Sequence, residues 1–176
     1  MVFSTGAPVT RFDWNTGKRY REVLSMDPSH IRLTRLNTVG TLLDAHSAWS
    51  VGDVLGAIEP GSARIEGGRG LADVRFSRRD TVEPIWQDVR DKILRSVSVG
   101  YNVYRYVEDA GKDNQLPTRT AIDWEPYEVS LVPMPADIGA TIRSGDKSRM
   151  HPCIIEILND DADRLRRFRL AMARAS

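Results

Sequence analysis

Apolar and polar residues alternate along several short stretches of this chain, and few stretches carry the wider spacing of a helix. The clearest alternation is in SVSVGYNVYRYVED. Val97, Val99, Tyr101 and Val103 point one way, and Ser96, Ser98, Gly100 and Asn102 the other. IDWEPYEVSLVPMP predicts a second long strand. VTRFDWNTGKRYREVLSM predicts two strands joined by a turn at Asn15, Thr16 and Gly17. TVGTLLDAHS and DVLGAI predict short strands around a turn at Trp49 to Asp53, and Ala72, Val74 and Phe76 share one face of another. The glycine-rich EGGRG at Glu66 to Gly70 reads as a turn, since it matches no dinucleotide-binding fingerprint.

Helical spacing occurs in three places. Val82, Ile85, Trp86, Val89 and Ile93 form one apolar stripe, with Asp80 and Glu83 at the spacing of a capping box. DPSHIRLTRLN predicts a modest helix with Asp27 as cap, Pro28 at the first position, and Ile31 and Leu36 on its apolar face. From about Asp160 the tail predicts an amphipathic helix with Leu165, Phe168 and Met172 on one stripe. The fold class expected is mainly β with helices (α+β), a barrel or sandwich of short strands decorated by helices.

Composition narrows the function classes. The 176 residues, 41% hydrophobic, suit one ordinary core. The 25 Lys and Arg nearly balance 24 Asp and Glu, so no global charge argues for nucleic acid or membrane. One cysteine, Cys153, excludes a disulfide within the chain and favours a reducing compartment. The N-terminus has no leader-like pattern, and no apolar run approaches the ~20 residues that span a bilayer.

The chain lacks a phosphate-binding loop, a GxSxG elbow and any zinc-ligand spacing. Three polar residues stand inside apolar strand patterns: His46, Ser98 and Glu128. A serine nucleophile needs a base that titrates near neutrality, and the resulting imidazolium gains from an acid on its far nitrogen. Three neighbouring strands can supply those roles. Read singly, each residue is more commonly a structural polar site.

Together, LLDAHSAWSVGDVLGAI, LRSVSVGYNVYRY and WEPYEVSLVPMPAD resemble the tailed-phage prohead maturation proteases, serine peptidases distantly related to herpesvirus assemblins. The resemblance runs from about Arg11 to Ser144. It implies an assemblin-like antiparallel β-barrel flanked by helices, with Ser98 as nucleophile and His46 as general base. Ser96 is the rival serine. Assemblins use a second histidine as third member, but His30 and His151 lie outside the matching stretches. The resemblance therefore points to an acid, Glu128, with Asp44 as runner-up. The paired-arginine element of the assemblins has no match here.

The resemblance implies a serine endopeptidase that cuts scaffold, or the scaffolding segment of the capsid protein, and itself during prohead maturation. An inactive scaffolding or core protein and a small-substrate serine esterase are the alternatives. The implied partners are the major capsid protein and scaffold, as substrates, with self-association allowed. No membrane, nucleic acid, metal or organic cofactor is implied, and the setting is the host cytoplasm inside assembling proheads. The division expected is a protease domain over 1–144, then a polar linker and C-terminal helix over 145–176. Self-cleavage is expected between about Arg143 and Asp161. The tail arginines Arg164, Arg166, Arg167, Arg169 and Arg174 read as a solvated face or a docking strip, and Cys153 as inert. Trp49, Trp86 and Trp124 are candidates either for core or for a substrate groove.

Overall fold

The computed structural model describes residues 1–111, 115–134 and 153–158. Eleven strands and two α-helices run in the order β1 (Val2–Ser4), β2 (Val9–Asp13), β3 (Lys18–Leu24), α1 (Thr34–Val39), β4 (Thr41–Asp44), β5 (Val54–Ile58), β6 (Arg64–Glu66), β7 (Arg69–Leu71), β8 (Val74–Phe76), α2 (Glu83–Arg90), β9 (Val97–Asp109), β10 (Thr118–Leu131) and β11 (Ile154–Leu158) among the described residues. Two long strands, β9 and β10, form the spine, paired antiparallel from Thr118↔Asp109 to Leu131↔Val97. On its other edge β10 takes β3 at one end and β4 at the other, both parallel. The main sheet then runs β11-β9-β10-β4-β5-β8, with β2 added to β3. A small sheet of order β1-β7-β6 stands apart from it.

The fold is thus mainly β with few helices. Among the described residues the sheet is open and mixed; it does not close into the antiparallel barrel expected from the resemblance. Helix–strand packing explains the apolar pattern. Leu36, Leu42, Val82, Ala121, Trp124 and Val129 are almost fully buried, and Val97, Val99, Tyr101 and Val103 pack against them. The alternation read in β9 therefore sends its apolar face to the core and leaves Ser98 and Gly100 on the other face.

Several elements depart from expectation for local reasons. Asp27 does cap, accepting from Ser29 N–H at 2.9 Å, but the turn is a short 3-10 helix over Pro28–His30. Ile31 then extends to bridge Trp124, and the α-helix begins only at Thr34. Pairing with β10 has overridden the helical spacing between Ile31 and Leu36. In α2 the cap is Val82, with no side-chain cap bond, so the Asp80–Glu83 box does not form. The helix stops at Arg90, Lys92 adopts a left-handed φ of 63°, and Ile93 is exposed. The EGGRG stretch is a hairpin turn, with Gly67 and Gly68 both at positive φ as such tight turns require. Within 145–176, β11 pairs parallel with β9, so the sheet reaches into the stretch expected to be a linker. The expected terminal helix, the tail arginines and His151 lie outside the described residues, as does most of the expected self-cleavage stretch.

At the far end of the spine, Glu22 is buried and carries the second polar cluster. It accepts from Arg11 Nε at 2.8 Å and from the hydroxyls of Tyr101 and Tyr106. Burial, and then the charge of Glu22, push both phenols above their usual range. Removing one partner of such a cluster leaves the others buried and unpaired. We predict that Glu22→Ala destabilises the fold by about 3 kcal/mol. Urea unfolding measures it, and a loss under 1 kcal/mol would show that the cluster is replaceable by water.

Candidate functional site

Two irregularities in regular strands build the site. The first is a bulge in β10 between Pro126 and Glu128. Proline cannot donate a ladder bond, so it sits where the pairing is already interrupted. The extra residue, Tyr127, brings its ring onto the same side as Glu128. A Cβ built on Gly100 would meet Glu128 Oε1 at 2.1 Å and Tyr127 Cε2 at 2.9 Å. The Glu128 carboxylate therefore occupies the space that any side chain at position 100 would fill.

The second irregularity follows β4. Ala45 and His46 both have left-handed backbones, with φ of 45° and 63°. Each costs a non-glycine residue about 1–2 kcal/mol. His46 is thus on a tight turn rather than on the strand expected from its apolar surroundings. The turn is closed by Ser47 N–H donating to Asp44 C=O at 2.7 Å, and by Ala45 N–H donating to Leu131 C=O at 2.9 Å. It carries the imidazole back over β10.

There His46 Nδ1 lies 2.6 Å from Glu128 Oε1. Ser130 completes the ring of contacts. Its hydroxyl donates to Glu128 Oε2 at 2.7 Å and accepts from the His46 backbone N–H at 3.0 Å. Glu128 is 5% exposed and Ser130 0%, whereas the His46 side chain is 43% exposed. A buried carboxylate needs donors on both oxygens, and these two supply them. With Nδ1–H donating to Glu128, the proton-free nitrogen is Nε2, the one a general base uses.

Ser98 comes to this place through strand register. It stands directly opposite Ser130, as Gly100 stands opposite Glu128, so all four side-chain positions share one face. Ser98 lies about 7 Å along β9 from Gly100, the residue over which the Glu128 carboxylate sits, and no hydrogen bond joins Ser98 to His46. Its hydroxyl has no hydrogen-bond partner among the described residues. Such bonds are often loose in free enzymes and tighten when substrate binds.

The other sequence candidates separate. Asp44 ends β4 and is exposed, and no hydrogen bond joins its carboxylate to His46. Ser96 precedes β9, where its carbonyl accepts from Val132 N–H at 3.1 Å. His30 Nδ1 does meet a serine, Ser25 Oγ, at 2.8 Å. That contact is closed within one turn, where Ser25 also accepts from Asp27 N–H, and no carboxylate bonds the ring. Trp124 is core, its indole N–H donating to Ser25 C=O at 3.0 Å. Trp86 packs on Phe76 with ring centroids 5.0 Å apart. Trp49 is exposed beside the site. Cys153 is also exposed, with its thiol pushed up chiefly by desolvation. Among the described residues no cluster of His, Cys, Asp or Glu is placed to hold a metal ion, and no helix is long and apolar enough to cross a membrane. The one contributor whose role sequence reasoning left undefined is Ser130. Its place two residues from Glu128 put it on the right face, but only the structure shows it bonded to both partners.

A major capsid protein of Halomonas phage phiHAP-1 (isolate -/Gulf of Mexico/-/2001) is 33% identical to this chain over 117 residues. The chain is related to part of a phage capsid protein. The match covers 66% of the chain and 19% of the capsid protein, so the chain spans about a fifth of that relative. No family model matches the chain, and no solved structure matches it.

The geometry makes two predictions. Ala45→Gly relieves a left-handed backbone, worth about 1–2 kcal/mol, against a cost of about 0.4–1 kcal/mol from the freer unfolded chain. The net expected is a stabilisation of roughly 0.5–1 kcal/mol, seen as a higher Tm; an unchanged or lower Tm would contradict the strained turn. Gly100→Ala must push the Glu128 carboxylate away from its seat. We expect the downfield Nδ1 proton resonance of His46 to be lost from the NMR spectrum of this variant, with the sheet intact by circular dichroism. Its retention would contradict the close contact.

Proposed function

We propose that this chain is a serine endopeptidase of phage capsid assembly, acting on scaffold or on the scaffolding segment of the capsid protein, and on itself. The observation that carries the reading is the His46–Glu128 pair, set on the same sheet face as Ser98 by the Ser98↔Ser130 register. In the proposed reaction His46 Nε2 takes the proton of Ser98 Oγ as that oxygen attacks the scissile carbonyl. The imidazolium is stabilised by Glu128, whose second oxygen stays bound to Ser130. His46 then gives the proton to the leaving amine, and water, deprotonated in turn by His46, releases the acyl group from Ser98.

Relatedness to a phage capsid protein supports the setting. The matched segment is a fifth of that relative, so in it the segment and its substrate would share one polypeptide. That the relative is a major capsid protein also favours a second reading, a structural part of the prohead without catalysis.

Co-expression with the neighbouring capsid protein, followed by intact-mass measurement of both chains, separates the two. We predict discrete cleavage by the native chain and none by Ser98→Ala, since losing the nucleophile of a triad costs several orders of magnitude. Glu128→Gln should slow cleavage at least ~10-fold, a floor beside the ~10⁴-fold known for a triad acid changed to its amide. Asp44→Asn should have a smaller effect. Equal cleavage by the Ser98→Ala variant would remove Ser98 as the nucleophile, and no cleavage by the native chain with normal shells would favour the structural reading.

A further inference from the structure

The register that places Ser98 continues across the sheet. Ser98 pairs with Ser130, Ser130 with Leu43, and Leu43 with Val54, so one row of side chains crosses β9, β10, β4 and β5 on the site's face. Leu43 and Val54, with Thr41, floor an open groove of about 400 Å³. Its wall is the loop that begins at His46. Trp49 and Val51, each 87% exposed, stand on that wall. No charged side chain lines the groove.

The loop is not slack. Asp53 Oδ2 accepts from Trp49 N–H at 2.8 Å and from Ser50 N–H at 2.9 Å, and Ser50 Oγ accepts from Gly52 N–H at 3.0 Å. Arg79 donates to the Val51 carbonyl at 3.1 Å and also to that of Val54. A tryptophan and a valine are therefore held out in water by a loop whose backbone is tied down at Trp49, Ser50, Val51 and Gly52. That is an unfavourable arrangement for the free chain, and it is continuous with the candidate base.

We propose that this groove is a subsite for an apolar side chain of the polypeptide substrate. The inference rests on the peptidase reading and adds a specificity to it. The groove floor lies two to three strand spacings, about 10–14 Å, from Ser98, and an extended peptide advances about 3.3 Å per residue. The apolar residue thus sits about three to four residues from the scissile bond. Trp49 and Val51 cover it against the floor of Leu43 and Val54.

The test uses the whole chain and an equimolar library of synthetic decapeptides, with cut sites read by mass spectrometry. The native chain should favour Leu, Ile or Phe over Ser at one position two to four residues from the cut, by roughly 10-fold or more in kcat/KM. In Trp49→Ala and in Val51→Ser, both surface changes that leave the core alone, that ratio should fall toward one. Cleavage with no apolar preference at those positions, or a preference that survives both substitutions, overturns the subsite. So does a change from dimer to monomer in Trp49→Ala with the preference intact, which would make this face a contact between copies. Absence of cleavage by the native chain, together with no covalent labelling of Ser98 by a fluorophosphonate, overturns the peptidase reading and the subsite with it.

Discussion

A buried carboxylate laid over a glycine is the contact on which this site depends. Glu128 can be nearly inaccessible to water only because both its oxygens are bonded, to the imidazole of His46 and to the hydroxyl of Ser130. It can lie flat against β9 only because residue 100 has no side chain. The β10 bulge sets its approach, and the left-handed turn at Ala45 and His46 brings the imidazole to it. Each feature is unfavourable or neutral taken alone. Their coincidence at one carboxylate is the physical argument that they serve a site.

The sheet supplies the rest. Four strands in register set Ser98, Ser130, Leu43 and Val54 in one row, so a polar end and an apolar groove share a rigid surface. Sites built on strands hold their side chains more closely than sites on free loops. The one loop that contributes, from His46 to Asp53, is tied down by Asp53 and Arg79. The second polar cluster, around Glu22, anchors the opposite end of the β9–β10 spine, away from this face.

Much of this was legible in the residues. Strict alternation in β9 announced which face Ser98 occupies, because a strand with one buried face has period two. The shared face of Glu128 and Ser130 followed from the same rule. What the pattern could not show was tertiary. His46 looked like a strand residue because its neighbours are apolar, yet closure with Leu131 turns the chain before it. That turn gives His46 to Glu128 rather than to Asp44. The helix read through Ile31 gave way to a bridge with Trp124. The closed antiparallel barrel implied by resemblance gave way to an open mixed sheet, because β10 pairs parallel with both β3 and β4 along one edge.

The proposed peptidase reading reduces to one claim, that Ser98 is a nucleophile served by the imidazole that Glu128 orients. Its most direct test is to treat the purified chain with a fluorophosphonate, digest it, and locate the adduct by mass spectrometry. The account predicts one adduct, on Ser98, absent from a folded His46→Ala variant. An adduct on Ser96 or Ser25, or equal labelling of Ser98 without His46, would contradict it.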